Sequence, residues 1–196
     1  MTDWLHATEL NSELVTLRPL TLDDQSALIK AASDGELWNL WFTGVPCPNS
    51  TKAYIDKALK QQQDGTALPF VVINNSTGEI VGCTRICNAI EAHRRVEIGY
   101  TWYAKHAQRT GINTQTKQLL LQFIFEQLNC IAVELRTNWH NHKSRAAIER
   151  LGAKQDGVLR SHQILSDGTL RDTVVFSILA HEWPAVNVAL KHKLNT

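Results

Sequence analysis

The segment Gln108-Arg109-Thr110-Gly111-Ile112-Asn113-Thr114 places one glycine where a β-rich stretch gives way to residues with helical spacing. A helix N-terminus offers unpaired backbone NH groups and a partial positive charge, and a small residue lets phosphate oxygens approach the backbone closely. Such a turn can hold a pyrophosphate without a lysine, with Arg109 and the hydroxyls of Thr110 and Thr114 as further donors. Taken alone, the loop is more simply a βα turn with a helix cap at Thr110 or Asn113. Glu97 is the second residue with chemistry in it. It lies in the run Val96-Glu97-Ile98, where a carboxylate is costly unless paired. Arg94, Arg95 and Arg85 are its expected structural partners, while perturbed carboxylates also cluster at reactive sites.

These residues need elements to hold them. Leu14 to Arg18 alternates and ends at Pro19, predicting a short strand, and Thr21 before Asp23 and Asp24 opens a helix to about Ser33. Trp38 to Pro48 carries Gly44, Pro46 and Pro48 and reads as an irregular loop with aromatics. Asn49-Ser50-Thr51 caps a second helix to about Asp64. Phe70 to Ile73 and Ile80 to Cys87 form a hairpin about Asn74-Asn75-Ser76-Thr77-Gly78. A strand from Arg94 to Tyr103 leads into the Gly111 loop and a core-facing helix from Ile112 to Leu128. Ile131 to Arg136 is the next strand, followed by a helix across Ser144 to Leu151 that Gly152 ends. Val158 to Leu165 and Leu170 to Leu179 flank the turn Ser166-Asp167-Gly168-Thr169. The tail from 181 to 196 is mixed, with Trp183-Pro184 expected to act as a terminator. The order β-α-α-β-β-β-α-β-α-β-β is a mixed α/β arrangement.

With 196 residues, 43% of them hydrophobic, the chain suits a single domain over 1–196 with its core at about 14–180. Its net charge of +1 supplies no global field for nucleic acid or an anionic membrane, so any anion site is local. Met1-Thr2-Asp3-Trp4-Leu5-His6 lacks a basic n-region before an apolar stretch, and cytoplasmic location is the default expectation. Cys47, Cys83, Cys87 and Cys130 make no CxxC pair and read as reduced thiols. His140 and His142 flank Asn141 without a third ligand at a diagnostic spacing, so no metal is expected.

The loop, the strand before it and the segment after the next strand together resemble the GNAT acyltransferase superfamily, over most of the chain. Gln108-x-x-Gly111-x-Asn113 is similar to that superfamily's (Gln/Arg)-x-x-Gly-x-(Gly/Ala) acyl-CoA signature, with Asn at the last position. That departure is mild because backbone NH groups do the binding. Leu17-Arg18-Pro19-Leu20 and Asn138-x-x-Asn141-x-x-Ser144, leading to Leu151-Gly152-Ala153, look most like the branch that includes the ribosomal-protein N-terminal acetyltransferases RimJ and RimL.

The resemblance implies a GNAT fold, a splayed mixed sheet flanked by helices, and an N-acetyltransferase using acetyl-CoA. Its acyl-pantetheine arm would lie beside Thr101, Trp102 and Tyr103, with Gln108, Arg109, Thr110, Gly111, Ile112, Asn113 and Thr114 around the pyrophosphate. Asn138, Asn141 and Ser144 would be further cofactor contacts. Glu97 would be the base that takes a proton from the amine, and Ser144 would lie near the sulfur as a donor or orienting group, or simply cap its helix. Tyr100 and Tyr103 are alternative donors. From their place in the irregular loop between the first two helices, Trp38, Trp41 and Phe42 are expected either to line an acceptor pocket or simply to pack against those amphipathic helices. The implied partners are acyl-CoA and an amine, either a peptide N-terminus or a small molecule, without metal, nucleic acid or membrane; a homodimer is left open. The alternative is a non-catalytic acyl-CoA-binding sensor.

Overall fold

The computed structural model describes residues 4–165 and 167–195. Met1 to Asp3 of the N-terminal stretch, Ser166 of the expected turn and Thr196 lie outside the described residues. Within the described residues, eight strands form one sheet: β1 (Leu10–Asn11), β2 (Val15–Pro19), β3 (Leu68–Asn74), β4 (Glu79–Ile90), β5 (Arg95–Tyr103), β6 (Ala132–Asn138), β7 (Lys154–Ile164) and β8 (Leu170–Leu179). Their spatial order is β1-β2-β3-β4-β5-β6-β8-β7. Every neighbouring pair is antiparallel except β5 and β6, which run parallel.

Among the described residues, five α-helices cover the sheet: α1 (Gln25–Ser33), α2 (Thr51–Gln63), α3 (Ile112–Gln122, extended by a wider turn over Phe123–Gln127), α4 (His142–Leu151) and α5 (Trp183–Leu194). Side chains alternate along β5, so Val96 and Ile98 join Leu120, Leu121 and Ile124 of α3 in one core cluster. On the other face, Val71, Cys83 and Trp102 pack with Leu28 and Ala32 of α1 and Ile55 and Ala58 of α2. Glu97 therefore points to the α1/α2 side.

Three differences from the sequence reading have physical causes. Trp183-Pro184 begins α5 rather than ending the fold, since proline fits a first helical turn, where the NH it lacks has no partner to lose. Trp183, Val186 and Leu190 are then buried, so the expected tail belongs to the core. The two-residue edge strand β1 was hidden because so short a segment has no periodicity to read. In the loop before α3, the left-handed residue is Arg109 at φ 62°, whereas Gly111 has an ordinary φ of −65°. Gly111 sits in a tight place instead: a Cβ there would stand 3.0 Å from Leu14 Cδ1, the tip of a side chain that would have to give way.

Candidate active site

The parallel pairing of β5 with β6 stops after three rungs, Arg95 with Ala132, Val96 with Val133 and Glu97 with Glu134. Beyond that point β5 stays with β4 as far as Tyr103, and β6 stays with β8 as far as Asn138. The sheet thus splits into a gap whose facing edges, 98–103 and 135–138, carry backbone groups free for an extended ligand. Within β5 the register against β4 slips between Cys83–Trp102 and Arg85–Gly99, and Tyr100 takes φ 52°. This bulge reverses which face the following residues occupy.

Glu97 stands on the last rung before the gap. Its carboxylate accepts from Asn88 Nδ2 at 2.8 Å and lies 3.5 Å from Arg136 Nε. The expected partners are placed otherwise: Arg95 pairs with Glu134 at 2.7 Å, Arg85 bonds Gln61 and lies over the Tyr100 ring at 4.0 Å, and Arg94 is exposed. Burial raises the Glu97 pKa above the ordinary carboxylate value, against the lowering effect of Asn88 and Arg136. The result is a fixed carboxylate with a stronger hold on a proton than a solvated one. A cleft of about 500 Å³, lined in part by Arg95, Glu134, Arg136, Asp156 and Ser177, runs along β6, β7 and β8.

At the start of α3, the Gln108 side chain turns back to donate to the Tyr103 carbonyl at 2.9 Å, tying the loop to the end of β5. Thr110 Oγ1 donates to Ala107 O at 2.7 Å and receives Ile112 N at 3.3 Å, so that hydroxyl braces the turn before the helix. Gln108 and Thr110 consequently shape the loop. Gly111 N-caps α3, Ile112 is buried, and the side chains of Arg109, Asn113 and Thr114 have no hydrogen-bond partner among the described residues. Free NH groups at the helix start together with Arg109 form a suitable cradle for a pyrophosphate.

Across the gap, Asn138 is 2% exposed; its Oδ1 accepts from His140 N at 2.9 Å, while its Nδ2 is buried without a partner. An orphaned amide donor at the mouth of the gap fits a carbonyl acceptor supplied from outside the chain. Asn141 caps α4 by accepting from Ser144 N at 3.1 Å, leaving the half-buried Ser144 hydroxyl free. Among the cofactor candidates of β5, Trp102 and Tyr103 are buried and the Thr101 side chain points to α3, so only their backbone faces the gap. Trp41 reaches over to His140, in the loop after β6, with ring centroids 5.4 Å apart, and meets Phe42 edge-on at 5.5 Å. Trp38 packs against the α1/α2 core. Among the described residues no three His, Cys, Asp or Glu side chains gather as a metal site, and no helix is long and apolar enough to cross a membrane.

Residues 15–154 match the acetyltransferase (GNAT) domain family. The chain belongs to that family. It is an acyl-CoA-dependent acetyltransferase of the RimJ/RimL-like branch. A protein of Bacillus subtilis (strain 168) named as a ribosomal N-acetyltransferase, YdaF, is 34% identical over 177 residues, covering 88% of this chain and 94% of its own. A GCN5-related N-acetyltransferase from Brucella melitensis superposes with a TM-score of 0.86 at 27% identity, over 97% of this chain and 86% of that one. RimJ of Mycobacterium smegmatis, solved in complex with CoA-disulfide, does so at 0.79 and 25% identity, over 95% and 93%.

Sequence reasoning on this GNAT chain missed Asn88 and Arg136, the groups that hold Glu97, because cross-strand neighbours depend on register. It also missed Lys117, although its spacing from Leu120, Leu121 and Ile124 puts it on the buried stripe of α3. One prediction follows from the loop. Gly111→Glu drives a side chain against Leu14 and sets a carboxylate at the positive end of α3. CoA affinity by calorimetry should fall about tenfold or more, roughly the 1.4 kcal/mol that one repelled charge and one clash supply.

Proposed function

We propose that this chain transfers the acetyl group of acetyl-CoA directly to a primary amine, with a protein N-terminal α-amine as the favoured acceptor. The observation that carries the reading is Glu97, half-buried, raised in pKa and fixed by Asn88 and Arg136 at the rung where the sheet opens. An alkyl ammonium of pKa about 10 must lose a proton before it can attack, and Glu97, directly or through a water, takes it. The N–C bond forms at the thioester carbon, the C–S bond breaks, and the electron pair leaves on the CoA sulfur; the attacking nitrogen sheds its second proton as it becomes an amide, and that proton passes to the sulfur, restoring any that the Ser144 hydroxyl relays. A backbone NH of the bulged part of β5 stabilises the carbonyl oxygen as it gains charge. Asn138 Nδ2 and the NH groups opening α3 hold the acyl carrier, and the free Ser144 hydroxyl at the start of α4 orients or protonates its departing sulfur.

The two thiols of β4 take no part. Burial pushes Cys83 and Cys87 up to about 12, which keeps them protonated and poorly nucleophilic. The names of the YdaF and RimJ relatives support a ribosomal-protein acceptor, and the adjoining rings of Trp41, Phe42 and His140 fit a peptide entering at the gap. The test is thiol release from acetyl-CoA against peptides with free or blocked N-termini and against small amines. Free-N-terminal peptides should release thiol fastest. Acetyl-CoA binding with no amine-dependent release across the panel would overturn transfer in favour of a sensor.

A further inference from the structure

Lys117 rises from the second turn of α3 and is 5% exposed. Its Nζ donates to Thr101 Oγ1 at 2.7 Å and reaches Thr84 Oγ1 at 3.5 Å, and those two hydroxyls lie 2.7 Å apart. No carboxylate pairs with it among the described residues. Burial accordingly brings the amine down to about 7, and the titratable groups beside it, Cys83 and Cys87 of β4, are pushed up to about 12 and stay neutral. Stability from this group is present above the ordinary lysine pKa and is lost as pH falls through about 7. A methionine at this core position would avoid that loss, so stability alone does not account for a lysine here.

The two threonines mark a specific place. Thr84 lies between the β4 residues whose pairing slips, and Thr101 follows Tyr100, the left-handed residue of the bulge. Without the bulge, strand alternation would turn Thr101 towards α1 and α2; with it, Thr101 meets α3. The Tyr100 carbonyl is within 3.5 Å of Cys83 Sγ, and a planar trans peptide then directs Thr101 NH away from Cys83. One side chain thus joins the helix that opens at the pyrophosphate loop to the strand segment that borders the gap.

We infer that Lys117 is a positioning residue for acetyl transfer: by gripping the Thr84 and Thr101 hydroxyls it locks the β5 bulge to α3 and fixes the bulge's backbone donors relative to the bound thioester. This rests on the transfer reaction proposed above. Catalysis is sensitive to such placement, because a displacement of about 1 Å can cost a hundredfold in rate.

Lys117→Met keeps the chain's reach and removes the donor. It should lower kcat between about tenfold and a hundredfold, leave KM for acetyl-CoA within about twofold, and melt at or above the wild-type temperature, most visibly below pH 7. Hydrogen exchange of the amides at 99–102 should quicken. A wild-type kcat, or a kcat that falls only with the folded fraction, overturns the proposal. Should Lys117→Met fail to fold, Thr84→Val, which leaves Lys117 in place, must also lower kcat; an unchanged kcat there is equally fatal. If the wild-type protein releases no thiol with any amine, the transfer reading itself fails, and exchange at 99–102 decides alone, unchanged protection in Lys117→Met counting against the clamp.

Discussion

Glu97→Gln lowers kcat/KM for the amine by roughly 10²–10⁴-fold, the range that a positioned general base contributes, while acetyl-CoA affinity stays as it was. The split is expected because Glu97 faces α1 and α2, whereas the NH groups that open α3 lie at the other end of β5. A pH profile sharpens the test. Glu97 must be ionised to accept a proton, so activity rises with pH through its raised pKa, and in the glutamine variant this limb disappears. Asn88→Ala removes a hydrogen bond to the charged form, which lifts the pKa further and moves the limb to higher pH. Linkage fixes the sign for stability. A carboxyl with a raised folded pKa contributes stability below its ordinary pKa and loses it as pH rises through the raised value. Glu97→Gln should therefore melt no lower than wild type at neutral pH, with the difference closing in acid. A glutamine variant with wild-type turnover at every pH removes Glu97 from the chemistry.

Gly82→Ala should be the most damaging small substitution in the sheet. A Cβ at this position of β4 would stand 2.1 Å from the Trp102 carbonyl oxygen and 3.0 Å from Tyr103 Cα, both backbone atoms of β5. Neither can rotate away, so the strands must part beside the bulge. The expected loss is about 4 kcal/mol, among the largest single-site effects. At roughly 2–4 °C per kcal/mol for a chain of this size, thermal melting should fall by about 10 °C. Gly44→Ala is the control, since nothing lies within 4 Å of its would-be Cβ and its φ is not in the left-handed region. Equal melting of the two variants would contradict the close approach at Gly82.

Much of this architecture is legible in the amino-acid order, for local reasons. Gly152 ends α4 at φ 101°, as a left-handed helix stop requires, and Asn141 caps the same helix. The hairpin residues and the α3 stripe declare themselves by periodicity. What stayed hidden depends on distance in sequence. Glu97 is visible as a misplaced charge, yet its keepers come from neighbouring strands, one reached through the β4–β5 pairing and one through the parallel rungs. Thr101 was legible as a gap residue and is one only through its backbone, because the bulge at Tyr100 turns its hydroxyl to Lys117. Trp183-Pro184 misled because proline both ends and begins helices, and only the docking of Val186 and Leu190 decides which.

The neighbours of Gly111 have a consequence for how the protein is made. Its would-be Cβ looks onto Leu14, just before β2, and onto Leu194 of α5 at 3.8 Å. The loop proposed to hold the pyrophosphate is thus wedged between segments far apart in the sequence. During synthesis β2 to β4 can pair early, while the loop waits with its mouth unsupported until residue 194 has left the ribosome. Competence to bind the nucleotide part of CoA should wait for α5, and chains arrested before that helix should collapse around their first hairpin yet pass through a CoA affinity column.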